Sequence, residues 1–157
     1  MPAPLSIEIS RNSDGWPDAL DARADAAVRE ALKQSKAKVT GPTELSIVLT
    51  DDAEQRVLNR DWRGIDKSTN VLSFPQIEPF APVSGILGDI ILARETLVRE
   101  AQEQGVSLED HFTHLVVHGF LHLLGYDHMD DDEALAMEGL ETQILASLGV
   151  ADPYGDD

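Results

Sequence analysis

Two stretches of the chain alternate apolar and polar residues. Leu5, Ile7 and Ile9 are separated by Ser6 and Glu8, and Leu45, Ile47 and Leu49 by Ser46 and Val48, after Glu44. A period of two is the signature of a half-buried strand. Between them, Leu20, Ala24, Ala27, Val28, Ala31 and Leu32 recur at helical spacing, so the chain opens as strand, helix, strand. Asp51, with Glu54 three residues on, has the spacing of a capping box and predicts a short helix that carries Val57 and Leu58 and ends near Trp62. A basic loop follows at 63–67. Residues 71–74 and 86–92 read as two more strands, and the stretch between them holds Pro75, Pro79 and Pro82, which predicts an irregular loop that could border a site.

The second half reads as helical. One helix runs from 93 to about 104 and stops at Gly105. The next starts at Ser107, whose hydroxyl can cap the amides near Asp110, and runs to Leu124 before Gly125. After the acidic stretch 130–133, a last amphipathic helix carries Leu135, Leu140, Ile144 and Leu145 and ends before Gly149. Glu138 and Glu141 on that helix read as surface residues. No repeat, low-complexity segment or interdomain linker interrupts the pattern. The expectation is a single α+β domain over 1–157, with a small four-stranded sheet, mostly antiparallel or mixed, packed with about five helices.

Composition narrows the chemistry. A chain of 157 residues suits one core. It has no cysteine, so a transition-metal site would have to use histidine or carboxylate, and a reducing cytosol fits. The most apolar run, 115–124, is too short to span a bilayer and no leader pattern opens the chain, so the expectation is a cytoplasmic protein. Acidic residues outnumber basic ones 29 to 12, for a net charge of −17. That balance repels polyanions over most of the surface, so a nucleic-acid enzyme of this composition must gather its few cations at the site. Arg56, Arg60, Arg63 and Lys67 form the densest cationic group. They could contact phosphates or equally balance Asp51, Asp52, Asp61 and Asp66 in the same segment.

All five histidines lie between 111 and 128. At about 100° per residue, His111, His114, His118 and His122 share a stripe roughly 80° wide on one helix. His118 and His122 project from adjacent turns and can meet one ion. Gly125 lets the chain turn back so that His128 can supply a third imidazole, leaving one tetrahedral position open as catalytic zinc sites do. This H-x3-H-x5-H spacing, with glycine after the helix, overlaps the metzincin protease pattern and gives the domain a zincin-like metal-bearing helix. Gly119, however, stands where those proteases carry their general base. His111 and His114 suit a polar-face or supporting role as well as a catalytic one. Beside the third histidine, Asp127 could orient an imidazole or cap the turn.

The run 118–128, H-G-F-L-H-L-L-G-Y-D-H, resembles the H-G-x-L-H-L-x-G-Y-D-H signature of the bacterial YbeY endoribonucleases. Residues 63–75, R-G-I-D-K-S-T-N-V-L-S-F-P, are similar to that family's R-G-x-D-x-x-T-N-V-L-S-F-P segment, and Gly88, Asp89 and Ile90 match its G-D-[IL] strand. The resemblance covers about 44–145. It implies a single-strand-specific, zinc-dependent endoribonuclease of the bacterial cytosol, acting in ribosomal RNA (16S) processing and ribosome quality control. It further implies one zinc per chain on His118, His122 and His128, a functional Arg63, and His114 as a histidine often found one turn before the first ligand. Ribosomal or other single-stranded RNA and ribosome-associated proteins are the implied partners. The acidity of this chain departs from the basic cleft for which the family is described.

Chemistry fits the resemblance. Zinc activates water near neutral pH, and a guanidinium at Arg63 can hold two phosphoryl oxygens at once. Two other readings share the metal triangle: a metalloprotease or small-substrate hydrolase with its base elsewhere, and a non-catalytic ribosome-assembly factor stabilised by zinc.

Overall fold

The computed structural model describes residues 5–35, 37–127 and 130–153. Among these, four strands and five helices form, in the order β1 (Leu5–Arg11), α1 (Leu20–Ser35), β2 (Val39–Thr50), α2 (Asp52–Arg63), β3 (Val71–Pro75), β4 (Val83–Ala93), α3 (Arg94–Gln104), α4 (Leu108–Leu124) and α5 (Asp131–Ser147). The expected α+β class holds. The sheet is mixed, with strand order β1-β2-β4-β3. Of the two forms expected, the mixed one is correct: β1 pairs parallel to β2 and β2 parallel to β4, while only β3 pairs antiparallel, to β4. The parallel pairing of β1 and β2 follows from the 16-residue α1, which carries the chain back to the start of the sheet as a crossover helix.

The elements form where local signals demand them. Along β2, Leu45, Ile47 and Leu49 are buried and Glu44 is exposed, so the period of two sorts core from solvent. Asp51 caps α2 by accepting from the Glu54 amide at 2.8 Å. The reciprocal half of the capping box is replaced, because Glu54 Oε1 accepts instead from Thr50 Oγ1 at 2.9 Å and Asn12 Nδ2 at 2.8 Å. Ser107 Oγ caps α4 through the Asp110 amide at 3.1 Å.

Helix α4 is the centre of the molecule. Most of its circumference is buried, including Phe112, Leu115, Val116, Val117, Phe120, Leu121 and Leu123, as expected of a helix packed on several sides. It lies against β3 and β4 on one side and against α1, α3 and α5 on others. Gly119 sets its distance from the sheet. A Cβ built there would lie 3.1 Å from both Ile90 Cγ2 and Ser73 Oγ and 3.3 Å from Val71 Cγ2, so the strands occupy the space a side chain would need. Ser73 Oγ donates to the Gly119 carbonyl at 3.1 Å across the same contact.

Candidate metal centre and active-site cleft

The imidazoles of His118 and His122 leave α4 on the side that faces a cleft of about 790 Å³. The end of α2 and the following loop form one wall, with Asn59, Arg63, Ile65 and Lys67; Pro75, Pro79, Tyr126 and Asp127 contribute elsewhere. The proline-rich loop expected to border a site does so. His128, the third expected ligand, lies outside the described residues.

Two buried amides of α2 hold the loop in place. Gln55 accepts from the Thr69 amide at 2.8 Å and donates to the Ile91 carbonyl at 2.9 Å, which ties the loop to β4. Asn59 Nδ2 donates to the Lys67 carbonyl at 2.8 Å. Gly64, at φ 72, ends α2 with its amide on the Arg60 carbonyl, so the chain reverses immediately after Arg63. Farther along, Asn70 donates to Glu100 at 3.1 Å, and Glu100 also meets the buried His111 at 2.9 Å, so the T-N pair is anchored to α3 and α4.

The cationic group divides in two. Arg56 pairs with Asp66 at 2.8 Å and Arg60 with Asp61 at 3.3 Å, on exposed surface. Among the described residues, Arg63 and Lys67 make no ion pair, and these are the two cations that line the cleft. Charge balancing therefore accounts for half of the group and leaves the other half facing the histidines.

His118 Nε2 and His122 Nε2 stand 3.0 Å apart. Two imidazole nitrogens on one tetrahedral zinc at about 2.0–2.1 Å lie about 3.3 Å from each other, so this pair has the convergence an ion requires. On its other side, His118 Nδ1 meets Glu141 Oε1 at 2.5 Å. A carboxylate accepts and does not donate, so the contact places the ring hydrogen on Nδ1 and leaves Nε2 as the lone pair directed at His122. Glu141 is 0% exposed. It thus corrects the reading of this residue as a surface group, while Glu138 is half-buried. The signal was present in the sequence: Met137, Glu141, Ile144 and Leu145 share the buried face of α5, and a glutamate on an apolar stripe must have a partner.

His114, His118 and Glu141 together form a group able to hold a metal ion, with ligand atoms all within 4.8 Å of one another. Within that group the Glu141–His118 contact is already closed as a hydrogen bond, whereas the two Nε2 atoms across α4 are spaced for a shared ion. His114 lies behind Glu141, its Nε2 3.9 Å from Oε1, and lines a separate cavity of about 340 Å³ with His111 and Asp110. Burial pushes the His114 imidazole down to about 4, against the opposing pull of Glu141, so it stays neutral near pH 7. No helix of the described residues is long and apolar enough to cross a membrane.

Comparison with known proteins places the chain in a family. The family described as Endoribonuclease YbeY matches residues 9–149. The chain is 56% identical over 166 residues to an Endoribonuclease YbeY of Sphingopyxis alaskensis, covering 97% of this chain and 98% of that protein. It is 52% identical over 161 residues to one of Rhizobium etli, covering 97% and 94%. The solution structure of a Thermotoga maritima protein superposes with a TM-score of 0.58 at 22% identity, covering 96% of this chain and 97% of that one, which shows a shared fold. On the family match and these full-length identities, the chain belongs to the YbeY endoribonuclease family.

Proposed function

We propose that this protein is a zinc-dependent, single-strand-specific endoribonuclease that acts in ribosomal RNA (16S) processing and ribosome quality control. The observation that carries the reading is the pair of Nε2 atoms 3.0 Å apart in the same cleft as Arg63 and Lys67, the two cations without an ion pair among the described residues. His118, His122 and His128 would hold one zinc ion per chain. When bound, zinc supplies Lewis acidity toward a phosphoryl oxygen and an activated water.

The chain's own residues supply the rest. Arg63 holds nonbridging oxygens of the scissile phosphodiester as their charge grows, and its planar fork suits two of them at once. Lys67 adds a point charge for a neighbouring phosphate. Glu141 keeps the His118 hydrogen on Nδ1 and fixes the plane of that ring. His114, neutral behind Glu141, supports the same carboxylate from the far side and is assigned a role in holding the site. Asp127 lines the cleft beside Tyr126.

Single-stranded and ribosomal RNA, ribosome-associated proteins and a cytoplasmic location belong to the same reading, supported by family membership and a sequence without cysteine. The protease alternative, which needs a base elsewhere than position 119, is not favoured, because the family match and the full-length relatives are endoribonucleases. The decisive experiment joins metal analysis to RNA cleavage by wild type, His122→Ala and Arg63→Ala. The proposal requires that His122→Ala lose both metal and cleavage, and that Arg63→Ala keep its metal and lose cleavage. Wild-type, metal-loaded protein that leaves single-stranded RNA intact would end it.

A further inference from the structure

Two exposed aromatic rings are next in sequence to residues that line the cleft, and one of them, Phe80, lines an adjoining cavity of about 280 Å³ that shares Tyr126 with the cleft. Trp62, 75% exposed, immediately precedes Arg63 at the end of α2. Phe80, 66% exposed, immediately follows Pro79 and meets Tyr126 edge-on, ring centroids 5.0 Å apart. Arg63, Pro79 and Tyr126 all line the cleft. Large aromatic rings normally withdraw from water, and neither of these does.

Phe80 is also held outward at a conformational cost. It is the one described non-glycine residue with a positive φ, 59°, a region that bulky side chains seldom occupy. Its amide donates to the Leu124 carbonyl at 2.8 Å, at the end of the histidine-bearing helix. The backbone is therefore pinned where it displays the ring, as strained residues at ligand clamps are. Gln55, Asn59 and the Gly64 turn fix the segment that carries Trp62.

We propose that Trp62 and Phe80 are stacking platforms for unpaired nucleobases, flanking a phosphate track marked by Arg63 and Lys67. The proposal rests on the endoribonuclease reading and deepens it, because it states how the cleft selects single strands. Bases in a duplex are stacked on their neighbours and paired across the helix, so neither face is open to a side chain. In a single strand, bases can turn onto aromatic rings while the backbone follows the cations, an arrangement that tolerates any sequence. It also answers the acidity of the chain. With a net charge of −17, long-range attraction cannot supply RNA affinity, whereas stacking is short-ranged and insensitive to net charge.

Trp62 provides its own probe, since the other tryptophan, Trp16, is buried. Metal-loaded protein is titrated with an eight-nucleotide single-stranded oligodeoxynucleotide, which offers the same stacking faces without the ribose of a substrate, and with a duplex of equal length. Tryptophan emission should be quenched by the single strand and not by the duplex, and Trp62→Ala should abolish the response. In cleavage of single-stranded RNA, Trp62→Ala and Phe80→Ala should each raise KM about tenfold, with kcat changed less than twofold, and Trp62→Phe should restore most of the loss. Unchanged KM in Trp62→Ala, or equal quenching by duplex and single strand, would overturn the proposal. Failure of wild type to cleave RNA while quenching persists would remove the nuclease reading and leave the stacking site standing.

Discussion

Replacing Glu141 by glutamine removes a carboxylate from the core while keeping the size and reach of the side chain. The carboxylate accepts from His118 Nδ1 at 2.5 Å and is 0% exposed, so water cannot replace it. A hydrogen bond to a charged acceptor contributes about 1.5–3 kcal/mol, against about 0.5–1.5 kcal/mol for a neutral one. The exchange therefore weakens the hold on His118 by roughly 1–1.5 kcal/mol, which at 1.36 kcal/mol per decade is about tenfold in metal affinity. Folding of the metal-free protein should move the other way or not at all, because a buried carboxylate costs more to desolvate than a neutral amide of the same shape. Zinc affinity is read by competition with a chromophoric chelator, and stability by thermal unfolding with and without zinc. The expected result is a tenfold loss of affinity, with the metal-free melting temperature equal to or above that of wild type. Wild-type affinity in Glu141→Gln would refute the reasoning, and so would a loss of affinity that merely tracks a loss of fold.

Further outcomes follow from the same geometry. Arg63→Ala should lower kcat on single-stranded RNA by on the order of a hundredfold with full zinc content, by the measure of a lost transition-state donor. Gly119→Ala, whose methyl group would meet Ile90 and Ser73 at 3.1 Å, should destabilise the protein by about 1–3 kcal/mol in urea unfolding; an unchanged midpoint would show that α4 can move away from the sheet. In metal-free protein, His114 binds its proton near 6.5 when unfolded and only near 4 when folded, so the unfolded state holds more protons between those values. Stability should thus fall as the pH drops through this window, by about 3 kcal/mol at most, and His114→Leu should flatten that part of the profile.

Much of this was legible in the sequence because the signals were periodic or local. The alternation in β1 and β2, the caps at Asp51 and Ser107 and the glycine stops at Gly105 and Gly125 each depend on residues a few positions apart. The convergence of His118 and His122 was equally local, one helical turn. What escaped were contacts between distant segments. Glu141 meets His118 from another helix, 23 positions away. The division of the cations into paired Arg56 and Arg60 and cleft-facing Arg63 and Lys67 depends on how the loop folds back on Gln55 and Asn59. Sheet direction was open for the same reason, since the pairing partners of β2 are set by the whole fold and not by its own pattern.

Gly119 connects the fold to the chemistry. In the protease pattern that the histidine spacing overlaps, this position carries the general base, which requires room beside the ion. Here the position faces Ile90, Ser73 and Val71, and a Cβ would meet them at 3.1–3.3 Å, so a side chain there must displace its neighbours. That closeness seats α4 against the sheet, with the neighbouring stripe, His118 and His122, at the cleft. A proton acceptor at 119 would crowd Ile90, Ser73 and Val71 or push back the helix that presents the histidines. Assistance to the reaction must come from across the cleft, where Arg63 and Lys67 are cations and suit an anionic phosphodiester better than a neutral peptide. Gly119→Glu should accordingly fail to fold or lose its metal, and a folded, zinc-loaded Gly119→Glu protein that cleaved casein would show that helix position does not decide the substrate.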